Sequence, residues 1–119
     1  MKWLVLIVMI YSGLFSDVIV VASDGNSLNS DISSKASRCN YYIFLDENGN
    51  TLEVLQNPHK DVFGGASSEL IDMIHNKKVS HLVASNFGDK LVSSLNSHNI
   101  KYTIYKSEIS TFIENVIKK

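Results

Sequence analysis

The spacing of apolar residues changes near the middle of the chain, from a pattern typical of strands to one of helices alternating with strands. Residues 17–23 form a continuous apolar run rich in β-branched side chains, which predicts a central strand buried on both faces. Residues 40–46 and 51–57 predict two further strands, and the Asn48-Gly49 pair between them favours a hairpin turn. The first half of the domain is therefore expected to be a three-stranded meander.

The segment between the first two strands is long and polar. Residues 26–37 are rich in Ser, Asn and Asp, and Leu28 and Ile32 are its expected apolar anchors. Loops of this length in compact domains often carry function.

In the second half, apolar residues recur at every third or fourth position in three segments. This spacing predicts helices at 67–76, 89–96 and 108–118, with short strands at 79–84 and 100–105 between them. The last helix is expected to bury one stripe of four side chains, which are Ile109, Phe112, Ile113 and Val116.

One connection, residues 57–66, holds the chain's only proline, Pro58, and its only Gly-Gly pair, Gly64-Gly65. Proline has no amide hydrogen to donate, so the preceding strand is expected to end there. The two glycines allow backbone angles that other residues avoid and let a ligand come close. Ser67 or Ser68 is expected to cap the helix that follows, whose free amides suit an anion.

The predicted order of elements, β-β-β-α-β-α-β-α, defines a mixed five-stranded sheet. With right-handed crossovers the strand order is 3-2-1-4-5 with strand 2 antiparallel, which is the ribonuclease-H-like arrangement. Ligands of open α/β sheets favour the edge formed by the carboxyl ends of the strands. We therefore expect the loop 24–38, Cys39, His59 with Gly64-Gly65, and the turn 85–89 to converge at that edge.

Residues 1–16 differ from the rest of the chain. A short basic start is followed by an uncharged run from Trp3 to Phe15, and residues 3–16 as a helix would span roughly 21 Å, short of a bilayer core of about 30 Å. This favours a secretory signal or an N-terminal anchor, with cleavage after Ser16 preferred to cleavage after Ala22. The alternative is an extra buried strand or helix. A real signal implies periplasmic or extracellular export, and otherwise the protein is expected to be cytoplasmic.

Composition restricts the remaining function classes. The chain has 119 residues, 45% of them hydrophobic, so residues 17–119 are expected to form one domain with a packed core. The formal net charge of −1 gives no basic surface for nucleic acid. The single cysteine excludes a disulfide within the chain and an all-cysteine metal site.

Six segments, taken in their order and spacing, resemble a known family. They are residues 18–24, 37–43, 57–58, 64–66, 79–88 and 95–102. They are similar to the dinitrogenase iron-molybdenum cofactor biosynthesis family, which includes NifX-like proteins and the C-terminal part of NifB-like ones, and the resemblance covers residues 17–117. It implies a ribonuclease-H-like fold, binding of an iron–sulfur or iron–molybdenum type cluster or its precursor, and proteins that donate or accept that cluster as partners.

The chain departs from the family pattern at two places. Family members usually carry a His-Phe-Gly-Arg run before strand 2, whereas the matching positions here, 35–38, read Lys-Ala-Ser-Arg. A candidate histidine ligand is therefore replaced by Lys35. The turn after strand 4 often has two glycines around an isoleucine in the family, and here positions 85–88 read Ser-Asn-Phe-Gly.

Two residues are the candidate metal ligands, Cys39 and His59. Cys39 would be a soft ligand whose thiolate is favoured by Arg38, or else a small buried residue at a strand start. His59 would be a ligand on a loop, or else a solvated loop residue. Two ligands are too few for a closed mononuclear site but could hold a cluster that brings its own sulfides, or one shared by two chains.

The other candidate residues would contact an anionic ligand. Arg38 could bind it or instead pair with Asp24 or Asp31, and Phe87 could be a partly exposed lid. His75, His81 and His98 are assigned no role. The full set of predicted cofactor-binding residues is Arg38, Cys39, His59, Gly64, Gly65, Ser85, Asn86 and Gly88.

Three functions compete. The first is a non-enzymatic carrier or sensor of a metal cluster. The second is an exported domain of the same fold that binds a small anion or a protein and no cluster. The third is a nuclease of the ribonuclease-H type, which needs several carboxylates around two metal ions. Asp24 and Glu69 are suitably placed, but strand 4 ends without an acid, so the nuclease is disfavoured. A serine hydrolase has no support either, because the sequence has no nucleophile-elbow motif and no paired His and Asp.

Overall fold

A five-stranded mixed sheet forms the centre of the protein. The computed structural model describes residues 17–118. The strands are β1 Val18–Ser23, β2 Tyr41–Asp46, β3 Thr51–Gln56, β4 His81–Ala84 and β5 Lys101–Ile104. The helices are α1 Ala66–Asn76, α2 Asp89–Ser97 and α3 Ile109–Phe112, and α3 continues into one π-helical turn, Ile113–Ile117. The predicted signal or anchor, residues 1–16, lies outside the described residues.

The strand order is β3-β2-β1-β4-β5, as the sequence predicts. β1 and β2 pair antiparallel, as do β2 and β3, whereas β1 and β4, and then β4 and β5, pair parallel. Ser23 at the end of β1 lies opposite Tyr41 at the start of β2, which lies opposite Gln56 at the end of β3. The ends of β1, β3, β4 and β5 therefore share one edge of the sheet, here called the carboxyl edge.

Helices cover the central strand β1 on both faces, because its residues 18–22 are all apolar. Val20 and Ala22 of β1 pack with α1 and α2 on one face, and Val21 packs with α3 on the other. The helices supply the rest of each core through a buried stripe. These residues are Leu70, Ile71, Ile74, Leu91 and Leu95 on the first face and Ile109, Phe112 and Ile113 on the second.

The long polar loop after β1 lies against the start of α3. Ile32 is buried and Leu28 packs against the second core cluster, so both expected anchors are confirmed. The loop carbonyls of Ser30 and Leu28 accept hydrogen bonds from the amides of Ile109 and Ser110, at 3.0 and 2.8 Å. These carbonyls satisfy amides that a helix start leaves without an internal partner.

Three local predictions are wrong. Val116 is 47% exposed, because the π-helical turn rotates it off the buried stripe. Neither Ser67 nor Ser68 caps α1, whose N-cap is Gly65 with no side-chain hydrogen bond. Phe87 is 8% exposed and packs its ring 5.1 Å from that of Tyr102, so it belongs to the core and is not a lid.

The hairpin between β2 and β3 is held by one carboxylate. Oδ1 of Asp46 accepts hydrogen bonds from the amides of Asn48 and Asn50, both at 2.9 Å, and these bonds lower the pKa of Asp46. Gly49 adopts φ 88°, and a Cβ added there would lie 2.7 Å from Cγ2 of Ile113. Glycine is required at this position both by the backbone angle and by the close approach of the last helix.

Candidate functional site

Asn57 organises the stretch that runs from the end of β3 to α1. Its buried side chain donates hydrogen bonds to the carbonyls of Ser37 and Cys39, at 3.2 and 3.0 Å, and accepts one from the amide of His59 at 3.0 Å. One side chain thus joins the segment before β2 to the loop after β3. The strand pattern alone predicts no bridging role for Asn57, although an asparagine beside a turn often bonds to nearby backbone.

Arg38 makes a second link between the same two segments. Its guanidinium donates to the carbonyls of Lys60 and Val62, at 3.2 and 2.7 Å. The predicted pairing with Asp24 or Asp31 is not among the ion pairs of residues 17–118. Arg38 therefore holds the loop 58–65 through two of its carbonyls. The side chain of Phe63 in this loop is fully exposed to solvent.

Gly64 and Gly65 end the loop in left-handed backbone conformations, with φ of 98° and 79°. A Cβ added at either position would meet nothing within 4 Å, so open space lies beside both residues. The first intrahelical bond of α1 runs from the amide of Glu69 to the carbonyl of Gly65. The preceding amides of α1 stand at a helix N-terminus, where a negative charge is favoured.

His59 lies beside this helix start. Its Nε2 is 3.3 Å from Oε2 of Glu69, and the two side chains are 40% and 47% exposed. An exposed pair of this kind contributes only about 0–1 kcal/mol to stability, so the imidazole can exchange Glu69 for another partner at little cost. His59 also lines a cavity of about 200 Å³ whose apolar floor includes Tyr42, Leu55 and Leu70.

Cys39 points into the core rather than into the site. Its thiol donates to the carbonyl of Tyr41 at 3.1 Å and lies 3.9 Å from that of Ala36. Burial raises the pKa of this thiol from its ordinary 9.0 to about 11, although the Tyr42 hydroxyl acts in the opposite direction. The expectation that Arg38 favours the thiolate is wrong, because the guanidinium is bound to the 58–65 loop and burial dominates.

The turn after β4 forms another part of the carboxyl edge. The amide of Ser85 donates to the carbonyl of Ser33 at 2.9 Å, so the turn is tied to the long polar loop. Asn86 is exposed, and Gly88 is the N-cap of α2 in an extended conformation. A Cβ added at Gly88 would meet nothing within 4 Å. A second helix start therefore opens towards this edge.

The predicted site residues thus separate into three groups. The backbone at Cys39, the side chain of Arg38 and the stretch around His59 are joined by direct hydrogen bonds. The turn of Ser85, Asn86 and Gly88 shares the sheet edge but bonds to Ser33 instead. The Cys39 thiol is turned away from both. Within residues 17–118, no three His, Cys, Asp or Glu side chains are grouped to hold a metal ion.

These features define an α/β domain of ribonuclease-H-like topology whose carboxyl edge is built from loops and two helix starts. The family model of the dinitrogenase iron-molybdenum cofactor proteins matches residues 17–119. The chain belongs to this family, and the resemblance inferred from the sequence is confirmed.

Solved structures agree with this fold. A provisionally assigned NifB protein from Thermotoga is 27% identical, with a TM-score of 0.66, and the match covers 82% of this chain and 84% of that one. The apo orange protein of Desulfovibrio gigas matches with a TM-score of 0.72 at 16% identity, over 82% and 84% of the two chains. At such low identity this second likeness concerns the fold alone. No curated protein matches the chain.

Proposed function

We propose that this protein is a non-enzymatic carrier that holds an iron–sulfur or iron–molybdenum type cluster, or its precursor, at the carboxyl edge of the sheet. The observation that carries the proposal is the family match over residues 17–119. The cluster is the cargo of such a carrier, and proteins that donate or accept it would be the partners.

The geometry of the edge supports a ligand of this kind. His59 offers an exposed imidazole whose present partner, Glu69, is held only weakly. Open space adjoins Gly64 and Gly65, and the α1 start beside them favours the negative charge that sulfide-bridged clusters carry. A cluster that brings its own sulfides needs few protein ligands. This suits the carboxyl edge, because residues 17–118 contain no group of three His, Cys, Asp or Glu side chains that could hold a metal ion.

Cys39 fits this role only after a local rearrangement. Its thiol is buried and hydrogen-bonded, and its pKa of about 11 keeps it protonated near neutral pH. Metal ligation requires the thiolate. In the proposal His59 is therefore the ligand available in the described conformation, and Cys39 becomes one only if the segment before β2 opens.

The buried thiol also favours a second candidate function. In it the same edge binds a small oxyanion or a partner protein and no cluster. The two glycines, the α1 amides and the exposed ring of Phe63 would then form the contact surface. In this second candidate function the N-terminal segment is a signal that is cleaved after Ser16, and the mature domain is exported. Among residues 17–118, no helix is long and apolar enough to cross a membrane.

Anaerobic reconstitution with iron and sulfide distinguishes the two functions. The carrier predicts bound iron and visible absorption that the His59→Ala variant loses. The matched control is the double variant His75→Ala/His98→Ala, which removes two exposed imidazoles far from the edge and should retain the absorption. Loss of absorption in Cys39→Ser as well would indicate that the thiol leaves its buried position.

The second candidate predicts the opposite outcome. The wild-type protein would bind no iron under those conditions but would bind molybdate or phosphate, and Gly65→Ala would weaken that binding by distorting the helix start. Mass analysis of the native N-terminus tests export separately. A mature chain that begins at Asp17 supports it, and an intact Met1 on protein recovered in the cytoplasm contradicts it.

A further inference from the structure

Two histidines from different helices lie side by side at the end of the molecule opposite the carboxyl edge. His75 is in the last turn of α1 and His98 is the C-cap of α2. Their ring centroids are 5.4 Å apart, with an angle of 57° between the ring planes. Both residues are exposed to solvent, so the pair is accessible without any movement of the fold.

The ring of His98 is held in one orientation by a backbone carbonyl. Its Nδ1 lies 2.8 Å from the carbonyl oxygen of Ser94. A carbonyl oxygen only accepts hydrogen bonds, so Nδ1 carries a hydrogen, and in the neutral tautomer the lone pair is on Nε2. Metal-binding histidines commonly have this arrangement, in which one ring nitrogen donates to a carbonyl and the other faces the metal.

The electrostatic environment at the two helix ends suits a cation. Helix C-termini carry partial negative charge, and α1 and α2 both end beside the pair. Two lysines follow this helix end: the ammonium of Lys77 is directed to Glu53, at 2.9 Å, whereas Lys78, whose amide donates to the carbonyl of His75, is an opposing charge. The two rings also line a cavity of about 400 Å³ that includes the carboxylate of Asp17 and, as an opposing charge, Lys101.

The ring separation also fits coordination to one ion. Two imidazoles bound to a tetrahedral zinc ion, with metal–nitrogen bonds of about 2.0–2.1 Å, place their ring centres about 5 Å apart. The observed 5.4 Å is close to this value. His75 is exposed, so its ring has no packing contact that fixes its orientation towards His98.

We propose that His75 and His98 form a two-imidazole site for a divalent cation of borderline softness, such as Zn²⁺. Imidazole nitrogen suits such ions, whereas Mg²⁺ and Ca²⁺ prefer oxygen. Residues 17–118 contain no third grouped ligand, so water completes the coordination. The site is separate from the carboxyl edge, and its existence does not depend on the cargo carried there.

The test is a titration of the full chain with Zn²⁺ alone, followed through the histidine ring signals in NMR spectra. The signals of His75 and His98 should shift together and saturate at one zinc per chain. Mg²⁺ at the same concentrations should leave them unchanged. The ring signals of His59 report separately on any binding at the other end of the molecule.

Variants establish that both rings are ligands. A second ligand on the same ion acts at high effective concentration, so His75→Ala and His98→Ala should each weaken binding at least about tenfold. His98→Gln keeps a side chain of similar size but removes the imidazole, so it should weaken zinc binding as strongly as His98→Ala. His59→Ala is the matched control and should leave this affinity unchanged. Independent shifts of the two rings, saturation only at millimolar zinc, or undiminished affinity in either alanine variant would overturn the proposal.

Discussion

Asn57 and Cys39 show how individual side chains set the form of the carboxyl edge. Asn57 is a buried polar residue whose donor and acceptor atoms are all occupied by neighbouring backbone. Cys39, two positions from the start of β2, is instead a core residue. The side-chain amide of Asn57 therefore fixes the backbone of the carboxyl edge. The thiol of Cys39, the only cysteine of the chain, is buried in the core next to that edge.

Replacing Asn57 should destabilise the protein and loosen the His59 loop. Asn57→Ala removes three hydrogen bonds, each with a net contribution of about 1 kcal/mol, so the free energy of unfolding should fall by about 2–3 kcal/mol. Urea denaturation measures the loss. Asn86→Ala, at an exposed asparagine, is the matched control and should change stability by less than about 0.5 kcal/mol. Equal effects of the two substitutions would contradict the role of Asn57.

The Cys39 thiol should make stability depend on alkaline pH. In the unfolded chain the thiol loses its proton near its ordinary pKa of 9.0, whereas burial raises the pKa in the folded protein to about 11. Deprotonation therefore favours the unfolded chain between these values, and the contribution of the thiol to stability should fall by at most about 3 kcal/mol as pH rises from about 9 to 11.

Denaturation curves across this pH range test the prediction. Burial also raises the pKa of Tyr42, so the Cys39→Ser variant should retain a shallower decline due to the tyrosine alone. A wild-type stability that is flat from pH 9 to 11 would mean that the thiol is accessible to water.

At the level of elements, the spacing of apolar residues and the turn signals between them predict every strand, and right-handed crossovers then give the strand order. The continuous apolar run of β1 predicts a strand covered on both faces, and the structure places helices on both faces. Details that depend on contacts between distant segments were not predictable. Examples are the π-helical turn that exposes Val116 and the packing of Phe87 on Tyr102.

The β2–β3 hairpin should depend on its glycine. Gly49→Ala forces a positive φ on alanine and brings its Cβ against Ile113, so it should cost about 1–3 kcal/mol of stability. Gly64→Ala is the comparison, because Gly64 also has a positive φ but has open space around it. The difference between their thermal midpoints isolates the contact with Ile113. A larger loss at Gly64 would contradict this packing.

At the scale of the whole molecule, the sheet separates two surfaces with different chemistry. The carboxyl edge has loops, open helix starts and His59, and the opposite end has two helix C-termini and the His75–His98 pair. The first surface was predictable because strand order alone determines which loops meet. The second was not, because its two residues are brought together only by the packing of α1 beside α2.

Residues 17–119 should fold without residues 1–16. The family model matches residues 17–119, and this range holds all five strands of the sheet together with the three helices that cover it. A protein that begins at Asp17 should therefore give a single cooperative thermal transition by circular dichroism, with helix and strand content matching the full chain. A truncated protein that lacks this transition would show that the first sixteen residues contribute to the core.

The most direct test of the proposed carrier is pulsed EPR of the reconstituted, reduced protein labelled with ¹⁵N-histidine. If His59 binds the cluster, the spectrum should contain a hyperfine coupling to one imidazole nitrogen. That coupling should disappear in His59→Ala and persist in the His75→Ala/His98→Ala variant. A cluster that forms without any nitrogen coupling, or with a coupling that survives His59→Ala, would contradict the assignment of His59 as its ligand.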